Sequence, residues 1–310
     1  MTTKTITIGT RGSALALWQA NWVAGELRKL YPHREVRIER IVAPADAAPD
    51  VPIAELGTKG LFTKTLEDAL LDGRIDLAVH SLKDMASVLI PELDLVAIPA
   101  REDPREALVA PGHAGLDALP PGARVGTSAP RRRAQLLHLR PDLHILDVRG
   151  NVDTRLRKLR DGQYDALVLA AAGLRRLGRA DAITAYLDEQ TVLSAGGQGA
   201  LGIEARVDDH PMRELVLPLN DPATTTCCVA ERRLQAVLEG GCRIPIGALG
   251  RLDGDTLTLD AVVASEDGTL LVRDRLSGPV TDPVGLGERL AGLLLEHGAD
   301  SILEAVRASL

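Results

Sequence analysis

The sequence predicts an α/β protein: two similar lobes built on mainly parallel sheets, followed by a smaller α+β domain with a three-stranded sheet. Three observations carry this prediction. Strand-like and helix-like stretches alternate through the first two thirds of the chain, the order that builds helix-covered parallel sheets. Two segments echo each other: Asp72-Gly73-Arg74-Ile75-Asp76-Leu77-Ala78-Val79 and Asp161-Gly162-Gln163-Tyr164-Asp165-Ala166-Leu167-Val168 share Asp-Gly-x-x-Asp-x-x-Val. After Pro218 the alternation stops, and one helical stretch is followed by three β-type runs and a long terminal helix.

Taken in order, Thr5 to Ile8 reads as a strand, Gly9 to Ser13 as a turn and Ala14 to Leu30 as an amphipathic helix. Val36 to Ile41 is a second strand, Leu61 to Leu71 a helix, and Ile75 to Val79 and Leu93 to Ile98 are strands. The echoed segments each run from a helix end through a glycine into a buried strand. Ile8-Gly9-Thr10 and Val125-Gly126-Thr127 likewise each pass from strand to helix. Further strands are read at His144 to Val148 and Asp165 to Ala170. The C-terminal part has a helix from Asp221 to Glu239, β-type runs at Ile246 to Arg251, Thr256 to Ala264 and Thr269 to Leu276, and a helix from Pro283. The implied domains are 1–99 with 200–217, then 100–199, then 218–310.

Apolar residues make up 45% of the 310 and aromatics only 2%, so Leu, Val, Ile and Ala must fill the cores. The N-terminus lacks the apolar stretch of a secretory signal, and the longest apolar run, Ala166 to Leu174, falls short of the ~20 residues that span a bilayer. The expectation is a cytoplasmic protein without a membrane partner. Cys227, Cys228 and Cys242 make neither a disulfide framework nor a metal-binding spacing, so no metal is expected. Cys227 and Cys228 lie within a helical stretch and read as packing residues. Cys242 instead sits among glycines and a proline in Gly240-Gly241-Cys242-Arg243-Ile244-Pro245, where its thiol is accessible and next to a cation, the setting of a reactive cysteine.

The net charge of −7 argues against general affinity for nucleic acid. Yet Arg124 to Arg179 holds 12 Arg and 1 Lys against 5 Asp, a local excess of +8. Arginine grips carboxylates and phosphates bidentately, so the segment points to an anion site. In α/β sheets ligands gather at the carboxyl ends of strands. Arg11 and Ser13 follow the first strand; His80, Ser81, Lys83 and Asp84 follow the third; Thr127, Ser128, Arg131, Arg132 and Arg133 follow Val125. Arg149 and Arg155, then Arg175 and Arg176, follow two later strands. These strand ends are expected to face one cleft, and the ligand to carry several negative charges. Asp84 is the acid among them: it can pair with a neighbouring cation, stabilise a cationic intermediate or pass a proton. His80 reads as structural.

Ile8-Gly9-Thr10-Arg11-Gly12-Ser13-Ala14-Leu15-Ala16-Leu17-Trp18-Gln19, Lys59-Gly60-Leu61-Phe62, Ala78-Val79-His80-Ser81-Leu82-Lys83-Asp84, Arg149-Gly150-Asn151-Val152-Asp153-Thr154-Arg155-Leu156, Gly197-Gln198-Gly199-Ala200 and the Cys242 segment together resemble the porphobilinogen deaminase (hydroxymethylbilane synthase) family over nearly the whole chain. The resemblance implies a transferase of haem and other tetrapyrrole biosynthesis. Its two lobes would be doubly wound sheets of periplasmic-binding-protein type, and a dipyrromethane cofactor would be joined by a thioether to Cys242. On that primer four porphobilinogen units would be added head to tail with loss of ammonia, and hydroxymethylbilane released by hydrolysis. Every ring bears an acetate and a propionate, which matches the arginines.

Carried over residue by residue, Asp84 matches the catalytic aspartate. Arg11, Ser13, Lys83, Arg131, Arg132, Arg149, Arg155 and Arg176 match positions that hold cofactor or substrate carboxylates or assist elongation. Ser81, Thr127, Ser128 and Gln198 add hydrogen bonds, and Lys59 and Phe62 belong to a loop over the cleft. A monomer is implied, with a transient hand-off of product to uroporphyrinogen-III synthase. Departures from the family pattern fall at Thr58, Met85, Ala86, Ala129 and Pro130, and Ala43-Pro44-Ala45-Asp46 replaces a more usual Thr-x-Gly-Asp. Ala129 removes a hydroxyl, and Pro130 fits only the first turn of a helix. The rivals are a non-catalytic two-lobed polyanion-binding protein, which would need neither Asp84 nor an adduct on Cys242, and a nucleic-acid binder, which the acidic total and scarce aromatics disfavour.

Overall fold

A computed structural model describes residues 5–42, 63–239 and 244–309. In chain order the elements are β1 (Ile6–Thr10), α1 (Ala14–Leu30), β2 (Val36–Arg40), α2 (Lys64–Leu71), β3 (Leu77–Ser81), β4 (Leu93–Ala97), β5 (Glu106–Val109), β6 (Arg124–Gly126), α3 (Pro130–Leu139), β7 (His144–Leu146), α4 (Val152–Arg160), β8 (Ala166–Ala170), α5 (Ala171–Arg176), β9 (Ala185–Leu187), β10 (Leu201–Arg206), α6 (His210–Val216), α7 (Pro222–Val237), β11 (Ile246–Asp253), β12 (Thr256–Ala264), β13 (Leu271–Pro279), α8 (Pro283–Leu294) and α9 (Asp300–Ala308). The chain forms two compact units, Met1–Arg101 with Ala200–Thr225, and Glu102–Gly199 with Thr226–Leu310.

In the first unit the strand order is β2-β1-β3-β10-β4. β1 runs parallel to β2 and β3, and β10 runs antiparallel to β3 and β4. Side chains alternate across a strand, and both faces of β1 are covered. Ile6 and Ile8 pack with Ala20, Val23, Ala24 and Leu27 of α1. Gly9 faces Ile75 and Leu66, which belong to the opposite cluster with Ala69, Leu70 and Ala78.

The second unit contains a sheet of order β7-β6-β8-β5-β9, with β6 parallel to β7 and β8, and β5 antiparallel to β8 and β9. This is the winding of the first sheet repeated: three parallel strands, then one reversed strand, then an edge. The unit also holds the three-stranded antiparallel sheet β11-β12-β13, covered by α7, α8 and α9 around Leu234, Leu259, Leu290 and Leu303. The turn between β12 and β13 touches α3, with His138 Nδ1 lying 2.9 Å from Gly268 O.

The echoed sequences hold the same joint in both sheets. Gly73 and Gly162 take φ of 70° and 73°, left-handed values that glycine adopts without penalty at a helix end. Three residues on, the Asp76 carboxylate accepts from Thr7 N at 2.9 Å while Asp76 N donates to Thr7 O at 2.8 Å. Asp165 does the same to Arg124, at 2.7 and 2.8 Å. Each aspartate thereby closes the entry of the third parallel strand onto the first.

Where expectation and structure differ, packing gives the reason. β1 continues through Gly9 and Thr10 instead of turning after Ile8: a Cβ on Gly9 would lie 2.3 Å from Ile75 Cδ1, so this glycine makes room for a neighbour. A Cβ on Gly126 would lie 2.6 Å from Leu167 Cδ2. β5, β9, β10, α5 and α6 were absent from the expected elements; of the two reversed strands, β5 opens on a buried acid, Glu106, and the apolar run of β10 is interrupted by another, Glu204. Pro130 occupies the first turn of α3, where its missing N–H costs nothing.

Gly9→Ala and Gly126→Ala should each destabilise the fold by about 1–3 kcal/mol through overpacking. Gly25→Ala, in α1 with open space around the new methyl, should be neutral or stabilising by up to ~1 kcal/mol. Urea midpoints of the three variants check both directions.

Candidate functional site

In the first unit, cations and Asp84 sit where β1 and β3 end. Arg11 and Ser13 follow β1, and Ser13 caps α1, its hydroxyl accepting from Ala16 N at 3.2 Å. After β3, Ser81 Oγ accepts from Gln19 Nε2 at 2.8 Å. The chain then makes a single 3-10 turn, Leu82–Asp84. Leu82 and Met85 are buried on either side of it and leave Asp84 exposed and Lys83 half-buried. Gly202 of β10 makes that seating possible, since a Cβ there would lie 2.8 Å from Met85 Sδ and 2.9 Å from Leu95 Cδ1. Buried side chains thus hold a carboxylate out to solvent at the end of a strand.

His80, read from sequence as structural, is buried with its Nε2 3.1 Å from Glu204 Oε2 on β10. That partner lies far along the chain and was not anticipated.

In the second unit the sequence-selected arginines divide into two groups. Arg131 and Arg132, at the start of α3, are each only 5% exposed and converge on Glu106, which is fully buried. Arg131 Nη2 donates to Glu106 Oε1 at 2.6 Å and its Nη1 to Leu193 O at 2.7 Å. Arg132 Nε donates to Glu106 Oε2 at 2.9 Å and its Nη1 to Val168 O at 3.1 Å. Gln198 Nε2 donates to Glu106 Oε1 at 3.0 Å and to Pro104 O at 2.7 Å. Burial pushes the Arg131 guanidinium down, the Glu106 carboxylate opposes that shift, and Arg132 adds to it.

The other arginines are more accessible. Gly150 adopts φ of 104° and Asn151 caps α4 by accepting from Thr154 N at 2.9 Å, which sets Arg149 and Arg155 on either side of the helix start. Arg155 Nε donates to Gly150 O at 2.8 Å. Arg176, in the last turn of α5, is pushed down to about 10 by burial, with Glu102 opposing, and remains cationic at neutral pH; its Nη2 donates to Gly199 O at 2.6 Å. Arg175 pairs with Glu102 at 2.9 Å.

Two hydroxyls expected to face a ligand also serve the backbone. Ser128 Oγ donates to Val148 O and accepts from Val148 N at 3.2 Å, and the buried Thr127 Oγ1 lies 3.4 Å from Ala129 N. Cys242, Lys59 and Phe62 lie outside the described residues, as does the departure at Thr58. Glu106 and Glu204 were not anticipated, and Gln19 was read only as part of the first motif, without a role. The signal available for Glu106 was an acid opening the apolar run Ala107-Leu108-Val109.

Arg11 and Lys83 in the first unit, and Arg131, Arg132, Arg149, Arg155 and Arg176 in the second, are each the kind of donor that grips carboxylates. Such donors fit a dipyrromethane bearing acetate and propionate groups. Among the described residues no helix is long and apolar enough to cross a membrane.

Residues 6–214 match the family model described as "Porphobilinogen deaminase, dipyromethane cofactor binding domain", and residues 225–296 match "Porphobilinogen deaminase, C-terminal domain". The chain is 52% identical over 306 residues to the porphobilinogen deaminase of Geobacter metallireducens, covering 99% of this chain and 96% of the relative. It is 50% identical over 298 residues to that of Roseiflexus castenholzii, covering 96% and 98%. Among solved structures it is similar to the periplasmic VFT2 domain of Bordetella pertussis BvgS (13% identity, 69% of this chain, 85% of that chain, TM-score 0.41). A second is a Salmonella typhimurium periplasmic binding protein of high arginine specificity (12% identity, 72% and 94%, TM-score 0.38).

Ala129 caps α3 with no side-chain hydrogen bond. Ala129→Ser should supply that acceptor and stabilise the fold by about 0.5–2 kcal/mol, seen as a higher midpoint in urea unfolding.

Proposed function

The chain belongs to the porphobilinogen deaminase family, and from that premise we propose how its own residues carry out the family's reaction. The enzyme joins four porphobilinogen units head to tail, with loss of ammonia, on a dipyrromethane primer and releases hydroxymethylbilane. The primer, when bound, supplies the nucleophilic pyrrole carbon to which each new unit is joined. Cys242 is the residue assigned to hold it.

The exposed carboxylate of Asp84, between the buried Leu82 and Met85, is the observation that carries the assignment of roles. A carboxylate fixed on a short turn can stand beside a pyrrole nitrogen, stabilise positive charge that develops there and hold the proton released. Lys83 shares its turn and supplies a cation for a substrate carboxylate. Arg11 and Ser13 are assigned the same task at the end of β1, and Arg131, Arg132, Arg149, Arg155 and Arg176 take the acetates and propionates of the lengthening chain. Ser81, Thr127, Ser128 and Gln198 act mainly by holding these elements in place, as their backbone and side-chain bonds suggest. Lys59 and Phe62 are assigned to a covering loop. The protein works in the cytoplasm as a monomer and passes its product to uroporphyrinogen-III synthase.

Intact-mass measurement of protein from cells that make porphobilinogen should find an added mass of two pyrrole units, absent from Cys242→Ser; an unmodified wild-type chain would overturn this reading in favour of a polyanion-binding protein. Asp84→Ala should keep the fold, because the side chain is exposed, and lower turnover by about 10²-fold or more, the scale of a lost acid or base. Near-normal turnover would reduce Asp84 to a surface carboxylate.

A further inference from the structure

The two sheets share one winding, so positions in them can be matched. β10 pairs with β3 so that Leu201 stands opposite Ser81, the last residue of β3. β5 pairs with β8 so that Glu106 stands opposite Ala170, the last residue of β8. The helices that follow the first parallel strand of each sheet begin at Ala14 and Pro130, which makes Leu15 and Ala16 the counterparts of Arg131 and Arg132. Where the first lobe has two leucines and an alanine, the second has a carboxylate and two guanidiniums.

The winding therefore does not require these charges. Taking three charged groups out of water costs more than a well-packed apolar set of similar volume, and their mutual attraction at best repays the cost. Stability gives no reason for the exchange. The trio retains one net positive charge, and Glu106 has a second restraint in the Gln198 amide. Two guanidiniums held alone at this separation would repel and turn apart. With Glu106 between them they are fixed side by side, each also anchored to a main-chain oxygen.

We propose that Glu106 is a positioning residue of the polymerisation reaction, which clamps Arg131 and Arg132 as a matched pair for the carboxylates of the tethered chain. The proposal rests on the carboxylate-binding assignment of those two arginines. Glu106 itself touches no substrate; it acts through the pair.

Glu106→Gln is the test, since the amide keeps the shape and one acceptor oxygen but places an N–H against a guanidinium. With the holoenzyme folded by circular dichroism, KM for porphobilinogen should rise at least tenfold with a smaller change in kcat. The covalent adducts seen by intact mass after limited substrate should shift toward the shortest. In an Arg132→Lys background the same substitution should add less than twofold, because its route of action is already broken. A folded Glu106→Gln enzyme with wild-type KM and adduct distribution overturns the proposal and leaves the reaction assignment standing. A wild-type chain without pyrrole mass overturns the reaction assignment instead. If Glu106→Gln does not fold, Gln198→Leu, which removes one donor from Glu106 and keeps all three charges, should raise KM about threefold, and an unchanged KM there counts against the proposal.

Discussion

Crowding like charges is the constraint under which this protein is built. A ligand with a carboxylate pair on every ring needs many cations close together, and cations held close repel one another and resist burial. The structure meets this by graded exposure. Arg149, Arg155 and Arg176 stay partly open to solvent, whereas Arg131 and Arg132 are buried with Glu106 between them. Arg175 is answered by Glu102 in the same way at lower cost. The acids within the second lobe are therefore part of the same device as its arginines.

A scaffold used twice lets that device be added without redesign. The aspartate joint at Asp76 and Asp165, the left-handed glycines before it and the tight glycines Gly9 and Gly126 recur in both sheets and fix the same winding. Strand ends and helix starts carry different residues in the two. One lobe carries an exposed carboxylate on a 3-10 turn, and the other a bank of arginines.

Much of this was legible in the sequence. α1 begins at Ala14 because Ser13 caps it, and β12 spans Thr256–Ala264 as its alternation indicates. The echoed Asp-Gly-x-x-Asp motif pointed to a repeated unit, and the structure shows what its glycine and its second aspartate do. The cations at strand ends could be found by rule, because in such sheets strand ends are where ligands meet the chain. Depth could not. Arg131 and Arg132 look in sequence like open grips, and their partner lies 25 and 26 residues upstream, at the head of a strand. His80 showed no companion, because Glu204 is 124 residues away. Contacts of that range leave no local periodicity to read.

One buried carboxylate outside the arginine bank has a reach that its position in α7 does not suggest. Glu231 accepts from Gly197 N at 2.6 Å and from Gly250 N at 2.8 Å, so a helix, the loop before β10 and the strand β11 share a single side chain. Gly197 is next to Gln198, which restrains Glu106. A genetic screen for lost tetrapyrrole synthesis would therefore recover Glu231 alongside the residues that handle substrate, and only a biophysical assay could tell that its failure was architectural.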